Sequence, residues 1–187
     1  MNSYFSKNKI VQMVAFFLLF CLSANANAQI IMEQKAQEEF VCTEDKDMII
    51  GKTTLEAFNQ NQNFWIEYLF HYERHKTDNT VIEQLVQLVS NKNIKVVAII
   101  GTWCSDSKVH FPVFSKVMEQ LPANAVSLEI IGTDRDKLAG DTDISSLNIE
   151  FVPTFIFYES DTELGRIVET PSETMEKDIL QILNKKQ

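Results

Sequence analysis

Positive charge is scarce in this sequence. The 187 residues carry 17 Lys and Arg against 26 Asp and Glu, a net charge of −9. Such an acid excess argues against nucleic acid or an anionic membrane as partner. Cysteine is scarce too. Cys21, Cys42 and Cys104 are too few to staple a small scaffold, so any that matter do so by reactivity or as a single bridge. Internal repeats and low-complexity linkers are absent. The apolar run at residues 10–22 falls short of the ~20 residues of a membrane-spanning helix.

That run has the layout of a secretory signal peptide. Lys7 and Lys9 precede it, and Ala26-Asn27-Ala28 forms a small-x-small cleavage site. Phe20 stands before Cys21 where lipid attachment needs a small residue. Cleavage would start the mature chain at Gln29 and leave no membrane span. The expected location is periplasmic or secreted, where the compartment is oxidising and a disulfide can persist. Three segments are expected: 1–28 as signal peptide, 29–91 as a polar segment with a helical extension, and 92–187 as a folded domain.

Residues 29–52 are polar and weakly patterned and read as loop. Residues 55–76 read as one helix, with Trp65, Tyr68, Leu69 and Tyr72 on a common face. Residues 81–90 predict a second helix, opened by a Thr80/Glu83 capping box, with Ile82, Leu85, Val86 and Val89 buried. These stripes are expected to pack on a sheet; a partner groove is the alternative. Residues 96–100 form a continuous β-branched run, as in a strand covered on both faces. Helix 105–121 follows, with Pro112 inside it. Strand 126–131, a charged loop, a short helix near 143–147, a hairpin over 151–168 and a last helix opened by Thr170-Pro171 complete the pattern. The order strand, helix, strand, helix, strand, strand, helix predicts an α/β sheet with helices on both faces.

Specific residues sharpen this. Trp103-Cys104-Ser105-Asp106-Ser107-Lys108 lies where the buried strand gives way to the helix, Pro112 lies eight residues past the cysteine, and Val152-Pro153-Thr154 opens the hairpin. Together these resemble the thioredoxin superfamily, with its Trp-Cys-Gly-Pro-Cys-Lys and cis-proline segments. More narrowly, Trp-Cys-x-Asp-Ser, Asp134-Arg135-Asp136 and residues 163–168 resemble exported bacterial thioredoxin-like proteins with a helical N-terminal extension. The resemblance implies a thioredoxin fold over 92–187, a cis bond at Pro153, and a peptide groove lined by Trp103, Val152, Pro153 and Thr154. Ser107 replaces the second motif cysteine, so no disulfide can form within the motif. Ala98 stands where thioredoxins bury an aspartate.

Chemistry then rests on Cys104. A helix N-terminus favours thiolate; Ser107 could donate to it and Lys108 adds charge, while Asp106 opposes. The expected balance is a modestly acidified thiol. A lone thiolate can form a mixed disulfide with a cysteine-containing protein or small thiol, and needs a second thiol to be released. Cys42 is the one internal candidate for that resolving role. No cofactor is required. The expected function is single-thiol disulfide exchange in cell redox homeostasis; the alternative is a non-catalytic peptide- or protein-binding module. A third possibility is a structural envelope protein with a Cys42–Cys104 bridge. His71 and His75 have metal-ligand spacing, but Tyr72 stands where the metalloprotease pattern needs Glu and no third ligand is evident. His110 could assist proton transfer or lie idle at the surface. Asp134, Asp136, Asp141 and Asp143 read as a solvated loop, so no metal site is expected.

Overall fold

The computed structural model describes residues 48–185. The expected signal peptide and cleavage site, Cys21, Cys42 and most of the polar segment lie outside these residues.

The aliphatic run forms the central strand β2 (Ile94–Ile100), buried throughout except at Lys95. It pairs in parallel with β3 (Val126–Gly132) and antiparallel with β4 (Thr154–Glu159). β5 (Thr162–Val168) closes a hairpin onto β4, and β1 (Gly51–Thr53) pairs antiparallel with β3. The sheet order is β1-β3-β2-β4-β5. β1 falls in a stretch that reads as loop, because three residues carry too little alternation to announce a strand.

Gly132 is what admits this edge. A Cβ there would lie 2.0 Å from the Ile49 carbonyl oxygen, a backbone atom with no easy retreat. Gly132→Ala is therefore expected to cost at least about 1–3 kcal/mol, measurable by denaturant unfolding. Glu129 ties the same edge together, with one oxygen 2.6 Å from Lys52 and the other 2.9 Å from Lys95. Those two ammonium groups hold its carboxyl below the usual range. A depressed carboxyl stabilises the fold above its unfolded pKa of ~4.3 and loses that contribution as pH falls through the folded value. Glu129→Gln should thus lower stability near neutrality by about 0.2–1 kcal/mol, the range for solvent-screened pairs. The difference from wild type should vanish in acid.

Four helices follow: α1 (Gln62–Arg74), α2 (Asn79–Val89), α3 (Ser105–Met118) and α4 (Met175–Leu183). Their buried residues share one core with Val96, Ala98, Ile100, Phe155 and Phe157, all on one face of the sheet. The other face carries Val97, Ile99 and Ile131, packed against Ala139, Ile144 and Val152. Among the described residues its cover is the chain between β3 and β4, with one 3-10 turn at Ser145–Leu147. The mixed sheet is thus flanked by helices as expected, with the four α-helices on one face and the 3-10 turn within the cover of the other. Arg166 fastens this cover, donating from Nη1 to the Leu147 carbonyl at 2.9 Å while Glu163 holds its other nitrogens at 2.7 Å.

Local capping moves several boundaries. The expected helix 55–76 is split into a 3-10 turn (Leu55–Gln60) and α1, because Asn61 Oδ1 accepts from Phe64 N at 2.9 Å and restarts the helix. Phe58 and Phe64 then fill the core with Tyr68, while Leu69 is left 43% exposed. Asp78, not Thr80, caps α2, its carboxylate accepting from Thr80 N and Val81 N. Thr174, not Thr170, caps α4. Asp178 turns back to accept from Ser172 N and Glu173 N, fixing those residues as a lead-in.

The extension shares the core of the strands and is also tied to them by polar groups. Lys116 of α3 donates to the carbonyls of Tyr72 and His75 at 2.7 and 2.9 Å, where α1 ends with orphan acceptors. Buried Glu176 accepts from Asp78 N at 3.0 Å and lies 3.4 Å from His75 Nε2. The Lys116 bonds hold α1 against α3, the helix that carries the cysteine at its head, and Glu176 holds the α1–α2 junction against α4.

Candidate active site around Cys104

β2 ends at Ile100, and residues 101–104 turn the chain into α3, with Cys104 N donating to Gly101 O at 2.9 Å. Cys104 is the N-cap of α3, and its side chain makes no capping bond. Its thiol is partly exposed and donates to the Val152 carbonyl, with Sγ 3.0 Å from the oxygen. Serine or aspartate at this position would turn inward to cap the helix. The sulfur instead faces the 151–154 turn.

That turn is built to present a carbonyl. The Val152–Pro153 peptide is cis. Thr154, buried, donates from Oγ1 to Phe151 O at 2.7 Å, and Pro153 O accepts from Glu169 N at 2.7 Å. Val152, Pro153 and Thr154 are buried, whereas Phe151 is 50% exposed. The Val152 N–H has no hydrogen-bond partner among the described residues.

Trp103 flanks the sulfur. Its Nε1 donates to Thr133 O at 3.0 Å, and the Arg135 guanidinium lies 5.3 Å from the ring centroid. A Cβ on Gly101 would come within 2.8 Å of this indole, so the glycine is what lets Trp103 lie over the turn. Ser107 is fully buried, and its Oγ accepts from Gly101 N at 3.2 Å. Its oxygen thus serves the end of β2, which leaves the hydroxyl proton as what it can offer the sulfur. Ala98 is buried in the helix-covered core, so no carboxylate stands beneath the motif.

The structure therefore brings Cys104, Ser107, Trp103, Val152, Pro153 and Thr154 into one neighbourhood. Cys42 lies outside the described residues. His110 is half-buried; burial pushes its imidazole below the ordinary value, Asp106 opposes this and His71 adds to it. His75 faces Glu176 rather than His71. Asp134 and Asp143 spend their carboxylates on backbone N–H groups of their own loop. Among the described residues no three His, Cys, Asp or Glu are grouped to hold a metal. No described helix is long and apolar enough to cross a membrane. A hollow of about 780 Å³ lies along the acidic loop, and neither Cys104 nor Val152 lines it. Phe151 is the residue of this site that sequence patterning passes over. Its exposure is a tertiary fact, and the only local signal is its place beside Val152-Pro153.

Comparison with known proteins fits this geometry. Two solved structures share the fold, each at 18% identity over 72% of this chain: a protein of unknown function from Pseudomonas aeruginosa (90% of that chain, TM-score 0.51) and an HIV epitope scaffold (93% of that chain, TM-score 0.53). Oxidised mitochondrial thioredoxin 3 of Saccharomyces cerevisiae is 21% identical over 54% of this chain and 89% of its own, with a TM-score of 0.37. A search of curated proteins gives no match. The family model described as thioredoxin matches residues 51–181, from β1 into α4. The chain belongs to the thioredoxin family.

Proposed function

We propose that this is an exported protein that carries out thiol–disulfide exchange through the single thiol of Cys104. The observation that carries it is the Cys104 Sγ 3.0 Å from Val152 O, at the head of α3 and partly open to solvent. Once ionised, the sulfur no longer donates to that carbonyl and faces the free N–H groups of the first helical turn. The Val152 N–H and the turn around it can pair with an extended peptide, as an added strand does.

The Cys104 thiolate attacks one sulfur of a substrate disulfide. A bond forms between the two sulfurs, the substrate S–S bond breaks, and its second sulfur leaves as thiolate and takes a proton from water. A small thiol, or a thiol of the substrate, then attacks the mixed disulfide and returns Cys104 as thiolate. When the substrate's own thiol resolves, the substrate is isomerised; when the small thiol resolves, it stays on the substrate sulfur as a mixed disulfide, and a second small thiol completes the reduction with release of the small disulfide. Ser107 holds Gly101 in register beneath the sulfur, and Trp103 walls one side.

One observation favours a second role, a binding module that has lost catalysis: Ser107 and Ala98 put neither a thiol nor a carboxylate under the motif. Cys104→Ser separates the two. In protein with Cys42 replaced by serine, exchange with a peptide disulfide should fall to the uncatalysed rate. Retained turnover in the double variant would sink the exchange role. Peptide binding unaccompanied by turnover in either protein would favour the module.

A further inference from the structure

Phe151 stands outside both cores. It is 50% exposed beside three buried neighbours and is a member of neither buried cluster. A scattered exposed apolar residue needs no explanation, but this one has a particular place. It adjoins the residue whose carbonyl takes the Cys104 thiol, so its Cα lies about 3.8 Å from that of Val152 across a trans peptide. Its backbone is pinned by the Thr154 hydroxyl. With Val152 turned into the core, Phe151 is the exposed side chain of this turn, one residue from the carbonyl that takes the thiol. The unpaired Val152 N–H offers a docked peptide one backbone bond and no selectivity. The ring next to it offers apolar cover to whatever side chain flanks the reacting cysteine.

We propose that Phe151 is a specificity-determining residue, selecting extended peptide disulfides whose cysteine is flanked by apolar residues. This rests on the exchange role of Cys104 proposed above. Covering half a phenylalanine ring and one aliphatic side chain corresponds to about tenfold in rate.

The test uses two peptides identical except that the cysteine is flanked by leucine in one and serine in the other. Each carries thionitrobenzoate on its cysteine as a mixed disulfide. Cys104 attacks the peptide sulfur; the new S–S bond joins protein and peptide, and the coloured thiolate leaves with the electron pair, being the better leaving group. Full-length protein with Cys42 replaced by serine should release colour about tenfold faster from the leucine peptide. Phe151→Ser should bring that ratio to within about twofold, and Phe151→Leu should keep most of it. Equal rates for the two peptides in the parent protein, or an undiminished ratio in Phe151→Ser, would overturn this proposal and leave the exchange role standing. Absence of protein-dependent colour from both peptides would overturn the exchange role and this proposal with it.

Discussion

Ser107→Cys should shorten the life of a Cys104 mixed disulfide by about a hundredfold or more. The position is one turn along α3 from the N-cap, so residues 104 and 107 are i,i+3 neighbours about 5–6 Å apart. That spacing lies within the reach of a disulfide. A thiol introduced at position 107 would attack the mixed disulfide from within the protein, bonding to the Cys104 sulfur and releasing the substrate thiol. An intramolecular nucleophile replaces one that must diffuse in, and the gain comes from that alone. The loss is small. Ser107 Oγ accepts from Gly101 N, and sulfur is a weaker acceptor, which costs about 1 kcal/mol. Rapid acid quench and intact mass would follow the adduct. An adduct equally long-lived in both proteins would mean that position 107 is turned away from the sulfur.

Phe114→Ala should destabilise the fold by about 3–5 kcal/mol. Its ring is fully buried and lies 4.1 Å from that of Phe155 at an interplanar angle of 11°. Phe157 meets it edge-on and Phe111 lies beside it. The residue therefore joins α3 to β4, the two elements that carry Cys104 and the cis-proline turn. Truncation leaves a cavity whose walls, a strand and a helix, cannot both close in. With whole domains stable by only about 5–15 kcal/mol, this is a large share, and chemical denaturation would read it directly. A loss below about 1 kcal/mol would mean that this core repacks freely.

How much of this could be read from the chain depends on where each signal lives. The continuous run at 96–100 is legible because a strand buried on both faces must be apolar there. The cysteine at a strand-to-helix junction and the Val152-Pro153-Thr154 segment are legible through their resemblance to the thioredoxin motifs, each carried by a few adjacent residues. The misses are contests between neighbours. Thr80 and Asp78 both suit a cap, and the better-placed carboxylate takes the N–H groups. Asn61 interrupts an otherwise helical face with a side chain that bonds three residues ahead. Asp178 takes the Ser172 and Glu173 N–H groups that a Thr170 cap would have bound. β1 depends on a glycine nearly eighty residues away. Phe151 is invisible to periodicity, because what marks it is its exposure beside a buried turn. Ser107 reads as a donor to the sulfur, and its oxygen also accepts from Gly101 N, just past the end of β2.

Exchange through Cys104 is tested most directly by covalent trapping. Full-length protein with Cys42 replaced by serine would be incubated with a peptide disulfide at neutral pH, acid-quenched and weighed intact. Exchange predicts a single peptide adduct, mapped to Cys104, that a small thiol removes. An unmodified Cys104 in folded protein, with the adduct appearing only after denaturation, would contradict it and leave the fold as a binding module.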